Sequence, residues 1–195
     1  MRQLTTLDLA PAAGEVRRLA STIDAHELED PTPCERMTVR QLLAHLIAAT
    51  RFSAAAASGA PPRGDADVPV TGDGSWKPVL AERCDALAAA WADPRAWIGR
   101  SAAAGVETSA QEAGRAAAME LVLHGWDLAA ATGQLFTVDE PAATAVVELM
   151  REWQDAEGRE QAFGPVVTVA ADATLLHQVL GLSGRDPGWR PAASG

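Results

Sequence analysis

The feature that most constrains this chain is Glu120-Leu-Val-Leu-His124-Gly-Trp-Asp127, set in the longest helix-compatible segment of the sequence. A helix puts Glu120, His124 and Asp127 on one face, because residues three and four apart are neighbours there. Ionisable groups in a stretch otherwise filled with Ala and Leu are costly to bury without a partner. Any fold of this chain must therefore supply one. Glu120 and His124 can bond each other, or Glu120 can meet an Arg, or the two can share a metal with a third ligand. His45 is the candidate third. It lies beside Leu42 and one turn before Ala49 on an apolar helical face, so it points inward. Two His and one Glu form a known catalytic zinc set with an open fourth position. Facing helices of a bundle project such ligands into the core. Asp127 then stands behind an imidazole and accepts its second N–H. A salt bridge or a local cap would also account for it, and direct ligation stays open.

The remainder of the chain reads as helices. Hydrophobic residues are 48% of the 195, but Ala dominates them and aromatics are 5%. Much Ala with little Val, Ile or Tyr favours closely packed helices over a sheet. Helix one is expected over about Leu7–Leu28, with Pro11 in its first turn. The two prolines of the 29–37 linker forbid a continuous helix. Thr38-Val-Arg-Gln41 reads as a capping box, and opens a second helix to about Ala57. Residues 58–75 are a loop by composition. A third helix follows over about Ser75–Ala92, then an irregular or briefly extended stretch over 93–108. Ser109-Ala-Gln-Glu112 is a second capping box, opening a central helix that ends near Thr132 with Gly133 beyond it. A helix at about Asp139–Ala156, an extended piece at Val166–Val169 and a last helix at Asp172–Leu182 complete the pattern. The expected fold is all-α: a four-helix bundle over residues 1–133 with a short C-terminal helical extension over 134–195, packed on the bundle in the same structural domain.

Other residues are weighed the same way. Cys34 precedes a helix N-terminus, where a thiol gains reactivity; a small buried hydrophobe is the plainer reading. Cys84 belongs to a core face. Trp126 is core packing or the wall of a pocket. His26 and His177 sit in polar surroundings and read as structural or solvent-facing. A net charge of −10 without a basic run excludes a phosphate-tracking nucleic-acid surface. No apolar run approaches the ~20 residues that span a bilayer. With no signal-type apolar N-terminus and no disulfide framework, the expected location is cytoplasmic, away from membranes.

Thr32-Pro-Cys34, Thr38-Val-Arg-Gln-Leu-Leu-Ala-His45 and Glu120-x-x-x-His124-Gly-Trp-Asp127-Leu-Ala-x-Ala-Thr-Gly133 together resemble the mycothiol-dependent maleylpyruvate isomerase metal-binding domain, of the DinB/YfiT-like superfamily of metalloenzymes. The ending Leu182-Ser-Gly-Arg-Asp-Pro-Gly-Trp189 is similar to that of a smaller actinobacterial subgroup. All but one of the basic residues are Arg, which with the abundant Ala matches high-GC coding of that kind. The resemblance implies a DinB-like four-helix bundle. It implies one divalent metal, commonly zinc with nickel, manganese or iron as alternatives, on His45, Glu120 and His124. It also implies a low-molecular-weight thiol such as mycothiol that attacks a small electrophile, by S-transfer or in an isomerisation. Met37 stands where the family often has Trp, and 134–195 is shorter than the isomerase's extra domain. Two other readings remain: a non-catalytic metal- or ligand-binding bundle, and a metal-free buried polar network in an interaction module. A homodimer is also left open, since bundles with Ala-rich faces often pair.

Overall fold

The structure is a computed structural model that describes residues 6–64, 68–103 and 106–191. The Thr38 cap shows how local chemistry sets the elements. Its side chain accepts from the Gln41 N–H, and the Gln41 side chain returns to the Thr38 N–H, so two orphan donors of the helix start are satisfied. Helix α2 runs from there over Val39–Ala56. Upstream, α1 spans Ala10–Thr22 with Pro11 in its first turn, and a separate 3₁₀ turn over Ala25–Glu29 completes what reads as one longer helix in the sequence. Asp24 and Glu27 make a capping box for that turn. The 31–38 linker is a tight loop closed by a Pro31–Thr38 bridge.

Helix α3, Trp76–Trp91, buries Trp76, Leu80, Cys84, Leu87 and Trp91, the three- and four-residue spacing of one helical face. Part of the loop before it, residues 65–67, lies outside the described residues. After α3, a 3₁₀ turn over Pro94–Trp97 leads into an antiparallel hairpin, β1 Arg100–Ala103 and β2 Val106–Ser109, with Arg100 opposite Ser109. Residues 104–105 at its tip lie outside the described residues. Ser101 donates to the Ala56 carbonyl at the end of α2 and ties the hairpin to the bundle.

Helix α4, Ala110–Ala131, is buried on most sides and is the central element. Ser109 accepts the Glu112 N–H, but the Glu112 carboxylate goes to Thr108 and to Trp153 rather than completing a box. Helix α1 packs against α3 and α4, and α2 packs against the same two, so the four helices form the bundle. Helix α5, Glu140–Glu152, lies on α4, and α7, Leu175–Leu182, lies on α5. A single turn, α6 Arg159–Ala162, sits between them. The 164–169 segment does not form a strand. It runs along α7, where the Val167 N–H donates to the Gly181 carbonyl. No helix among the described residues is long and apolar enough to cross a membrane.

Candidate metal centre

Two helices of the bundle bring the polar residues together. On α2, burial of Leu42, Leu46 and Ile47 fixes the helix rotation, and His45 is carried toward α4 at the edge of that face. On α4, which packs against α2, Glu120 and His124 stand one turn apart on the same face. The result places His45 Nε2 2.8 Å from Glu120 Oε2, across 75 residues of sequence. His124 Nε2 is 3.5 Å from the same carboxylate oxygen. The two imidazoles meet edge to face, their centres 4.7 Å apart. One donor atom from each of His45, Glu120 and His124 lies within 4.8 Å of the others. With metal bonds of about 2.1 Å, tetrahedral ligand atoms stand roughly 3.4 Å apart, so this cluster needs only small rotamer shifts to hold one ion. The side chains of His45 and Glu120 are 33% and 29% exposed, which leaves the cluster reachable from solvent.

Behind the cluster the site is dry. The Asp127 side chain is fully buried, and its Oδ2 is 2.9 Å from His124 Nδ1. Both Asp127 oxygens are also held by Arg185, whose Nε and Nη2 each lie 2.7 Å from one of them. This is the two-pronged geometry that guanidinium offers a carboxylate. Burial alone would raise the Asp127 carboxyl; the Arg185 bonds and charge, with His124, more than reverse this and hold it below the usual carboxylate value. Glu120 behaves alike: burial raises it, and His45, His124 and Arg185 together bring it below its ordinary value. In return the Glu120 bond raises His45 above the ordinary imidazole value, against the opposing effect of burial.

Asp127 therefore does two of the jobs its spacing allows, acceptor for His124 and partner in a buried salt bridge. Cys34 offers its sulfur within 4.8 Å of donor atoms of His124 and Asp127. That trio is a poor cation site, because Arg185 already supplies a positive charge to both Asp127 oxygens. The Cys34 thiol is pushed up, chiefly by burial and then by Asp127, so the reactivity that a helix N-terminus could lend is outweighed. Cys84 is in the core, its thiol pushed up to about 12 by burial. Trp126 is buried in the core cluster. His26 and His177 are exposed and apart from the site.

Sequence reasoning did not single out Arg185. It stands in the noted Leu182–Trp189 ending, yet no spacing rule links it to Asp127, 58 residues earlier. The available signal is the buried carboxylate itself, which demands a cation. A separate cavity of about 520 Å³ lies between α4, α5 and the start of the described chain, with Leu7, Trp97, Arg115 and Glu148 among its walls. Arg115 and His124 lie half a turn apart around α4, so this cavity opens on the other side of the helix from the cluster.

Residues 9–129 match the family model described as the mycothiol maleylpyruvate isomerase N-terminal domain. No curated protein matches the chain. Among solved structures, the mycothiol-dependent maleylpyruvate isomerase aligns with a TM-score of 0.54 at 19% identity, over 82% of this chain and 72% of that one. A histidine-to-alanine mutant of the isomerase aligns over the same shares, with a TM-score of 0.53 and 19% identity. At such identity the likeness to these structures is one of fold. The family match extends from the start of α1 almost to the end of α4 and takes in His45, Glu120, His124 and Asp127; the chain belongs to the mycothiol maleylpyruvate isomerase N-terminal domain family.

Proposed function

We propose that this protein is a metal-dependent enzyme that uses a low-molecular-weight thiol of the mycothiol kind on a small electrophile, by S-transfer or isomerisation. His45, Glu120 and His124 are the ligands of one divalent metal. The observation that carries the reading is the convergence of these three side chains, from α2 and α4, at one solvent-reachable point. Two imidazoles and a carboxylate are a donor set that suits zinc, with nickel, manganese and iron as alternatives. When bound, such a metal supplies the Lewis acidity that turns a coordinated thiol into a thiolate. Family membership and the fold of the solved isomerase support the thiol and the reaction class.

The chain's own residues divide the remaining work. Glu120 carries the negative charge of the donor set and accepts from His45 Nε2 before loading. Asp127 takes the far N–H of His124 and turns its Nε2 toward Glu120. Cys34, held as a neutral thiol, leaves the attack on the electrophile to the incoming thiol. The bundle of 1–133 carries the three donors, and 134–195 is an extension of the same structural domain.

The test is in two steps. Metal analysis of protein equilibrated with Zn²⁺ should find one equivalent per chain in the wild type and a loss in His45→Ala. Absence of stoichiometric uptake by the wild type would overturn the metal reading. The loaded protein is then incubated with mycothiol and a panel of electrophiles. Thiol consumption above the His45→Ala background supports an enzyme, and none across the panel points instead to a non-catalytic metal-binding bundle.

A further inference from the structure

We infer that Arg185, supplied by the C-terminal extension, is a positioning residue of the metal site: it orients Asp127 so that His124 is held with its proton on Nδ1 and its Nε2 lone pair aimed at Glu120 and His45. The inference rests on the metal reading for its purpose, but its geometry is independent of it. Arg185 takes both oxygens of Asp127 in a fork, which fixes the plane and rotation of the carboxylate. Oδ2 then has one remaining direction, and His124 Nδ1 lies along it at 2.9 Å. Both neighbouring carboxylates can only accept, and Asp127 Oδ2 at 2.9 Å is nearer than Glu120 Oε2 at 3.5 Å, so the geometry favours the neutral imidazole with its proton on Nδ1. Nε2 is left as the free donor atom, 3.5 Å from Glu120 Oε2.

Local structure holds Arg185 in place. Helix α7 ends in a Schellman turn, in which the Arg185 N–H reaches the Leu180 carbonyl and the Gly184 N–H reaches the Gly181 carbonyl. Gly184 has φ +81°, and a Cβ there would come within 2.6 Å of the Gly164 backbone. Only glycine meets both conditions, so the turn that delivers Arg185 is specified by the residue before it. The guanidinium is 8% exposed and Asp127 is not exposed at all, so water does not compete for either group. The extension therefore completes the site from behind, although all three metal donors lie in the bundle.

Three variants and two measurements test this. Competition with a chromophoric chelator reads Zn²⁺ affinity, and long-range ¹H–¹⁵N spectra of the metal-free protein read the His124 tautomer. The wild type should show His124 in the single Nδ1–H form. Arg185→Met should mix the tautomers and weaken Zn²⁺ binding by about 10- to 100-fold, the usual effect of removing the group behind a ligating imidazole. Arg185→Lys, which keeps the charge but not the fork, should recover only part of the loss. Because an unpaired buried carboxylate can unfold the chain, Asp127→Leu/Arg185→Met removes both charges together. That variant should melt near the wild type yet keep the mixed tautomer and the weak Zn²⁺ binding. Wild-type affinity and a single Nδ1–H tautomer in either Met variant would overturn the inference. If the wild type took up no Zn²⁺, the metal reading would fall, and the tautomer of the metal-free variants would still decide this one.

Discussion

The two halves of α4 solve burial in opposite ways. The first half presents Gly114, Ala117 and Ala118, and large rings come to it. Trp97 and Trp91 pack edge to face at 4.9 Å and close on Gly114, where a Cβ would overlap the Trp97 ring. Each indole N–H finds a carbonyl, Trp97 on Trp91 and Trp91 on Ser53, so neither of these two donors is left unpaired. The second half buries charge: Glu120, His124 and Asp127, matched by His45 and Arg185 from two other elements. Small residues accept any well-shaped neighbour, whereas a buried carboxylate accepts few. The first half can thus be strong without being selective, while the second depends on single partners. The candidate site lies in the second, where polar groups are held in fixed directions.

The contrast can be broken most sharply at Asp127. Asp127→Ala leaves the Arg185 guanidinium buried without its partner, and should cost about 3–5 kcal/mol in urea unfolding. A cost under about 1 kcal/mol would mean the pair is solvated and the two halves do not differ as described. Next comes ligand linkage. Zn²⁺ at about 100 times its Kd should stabilise the wild type by about 2.7 kcal/mol, read as a shift of the unfolding midpoint. His45→Ala should lose that shift, while a substitution in the first half should keep it. Gly114→Ala is the matching probe of the packed half. It should cost about 1–3 kcal/mol through overpacking and leave Zn²⁺ uptake unchanged; reduced uptake would show that the halves are coupled.

The smallest effect is the surface reference. Glu15 is bonded by Arg18, which holds its carboxyl below the ordinary value. Its folded value is depressed, so the pair's contribution is present above the unfolded carboxylate range and fades as pH falls through the folded value. The Glu15 side chain is only 10% exposed, but Arg18 is 48% exposed, so solvent screening of its charge limits the ion pair's contribution to under about 1 kcal/mol. Glu15→Gln should therefore flatten the acid side of the stability profile only slightly. A loss comparable to that of Asp127→Ala would erase the distinction between a solvated pair and a buried one.

Much of the bundle was legible in advance because its signals are local. Thr38 and Gln41 sit three apart and cap each other in the structure as the spacing predicts. The apolar spacing of α3 and the Gly133 stop after α4 likewise depend on near neighbours in the chain. Locality also explains the misses. A single helix over Leu7–Leu28 divides at Ile23, where the backbone turns extended, φ −65° and ψ 126°. The stretch after Trp97, expected as irregular or briefly extended, pairs as a hairpin that Ser101 ties to the end of α2, a partner distant in the chain. The piece at 166–169 is expected as extended, and what local signals do not give is its docking on α7 through the Val167 N–H.

The same divide runs through the site. From the sequence alone, helical spacing put Glu120, His124 and Asp127 on one face and turned His45 inward, because helix geometry is set by backbone hydrogen bonds a few residues long. The partners of those groups were decided by tertiary packing. His45 reaches Glu120 across 75 residues, and Arg185 reaches Asp127 across 58. Fifteen arginines offer the same charge in the sequence. Only the packing of α7 and the turn at Gly184 select one of them, because a charge finds its partner by position in space and not by separation along the chain.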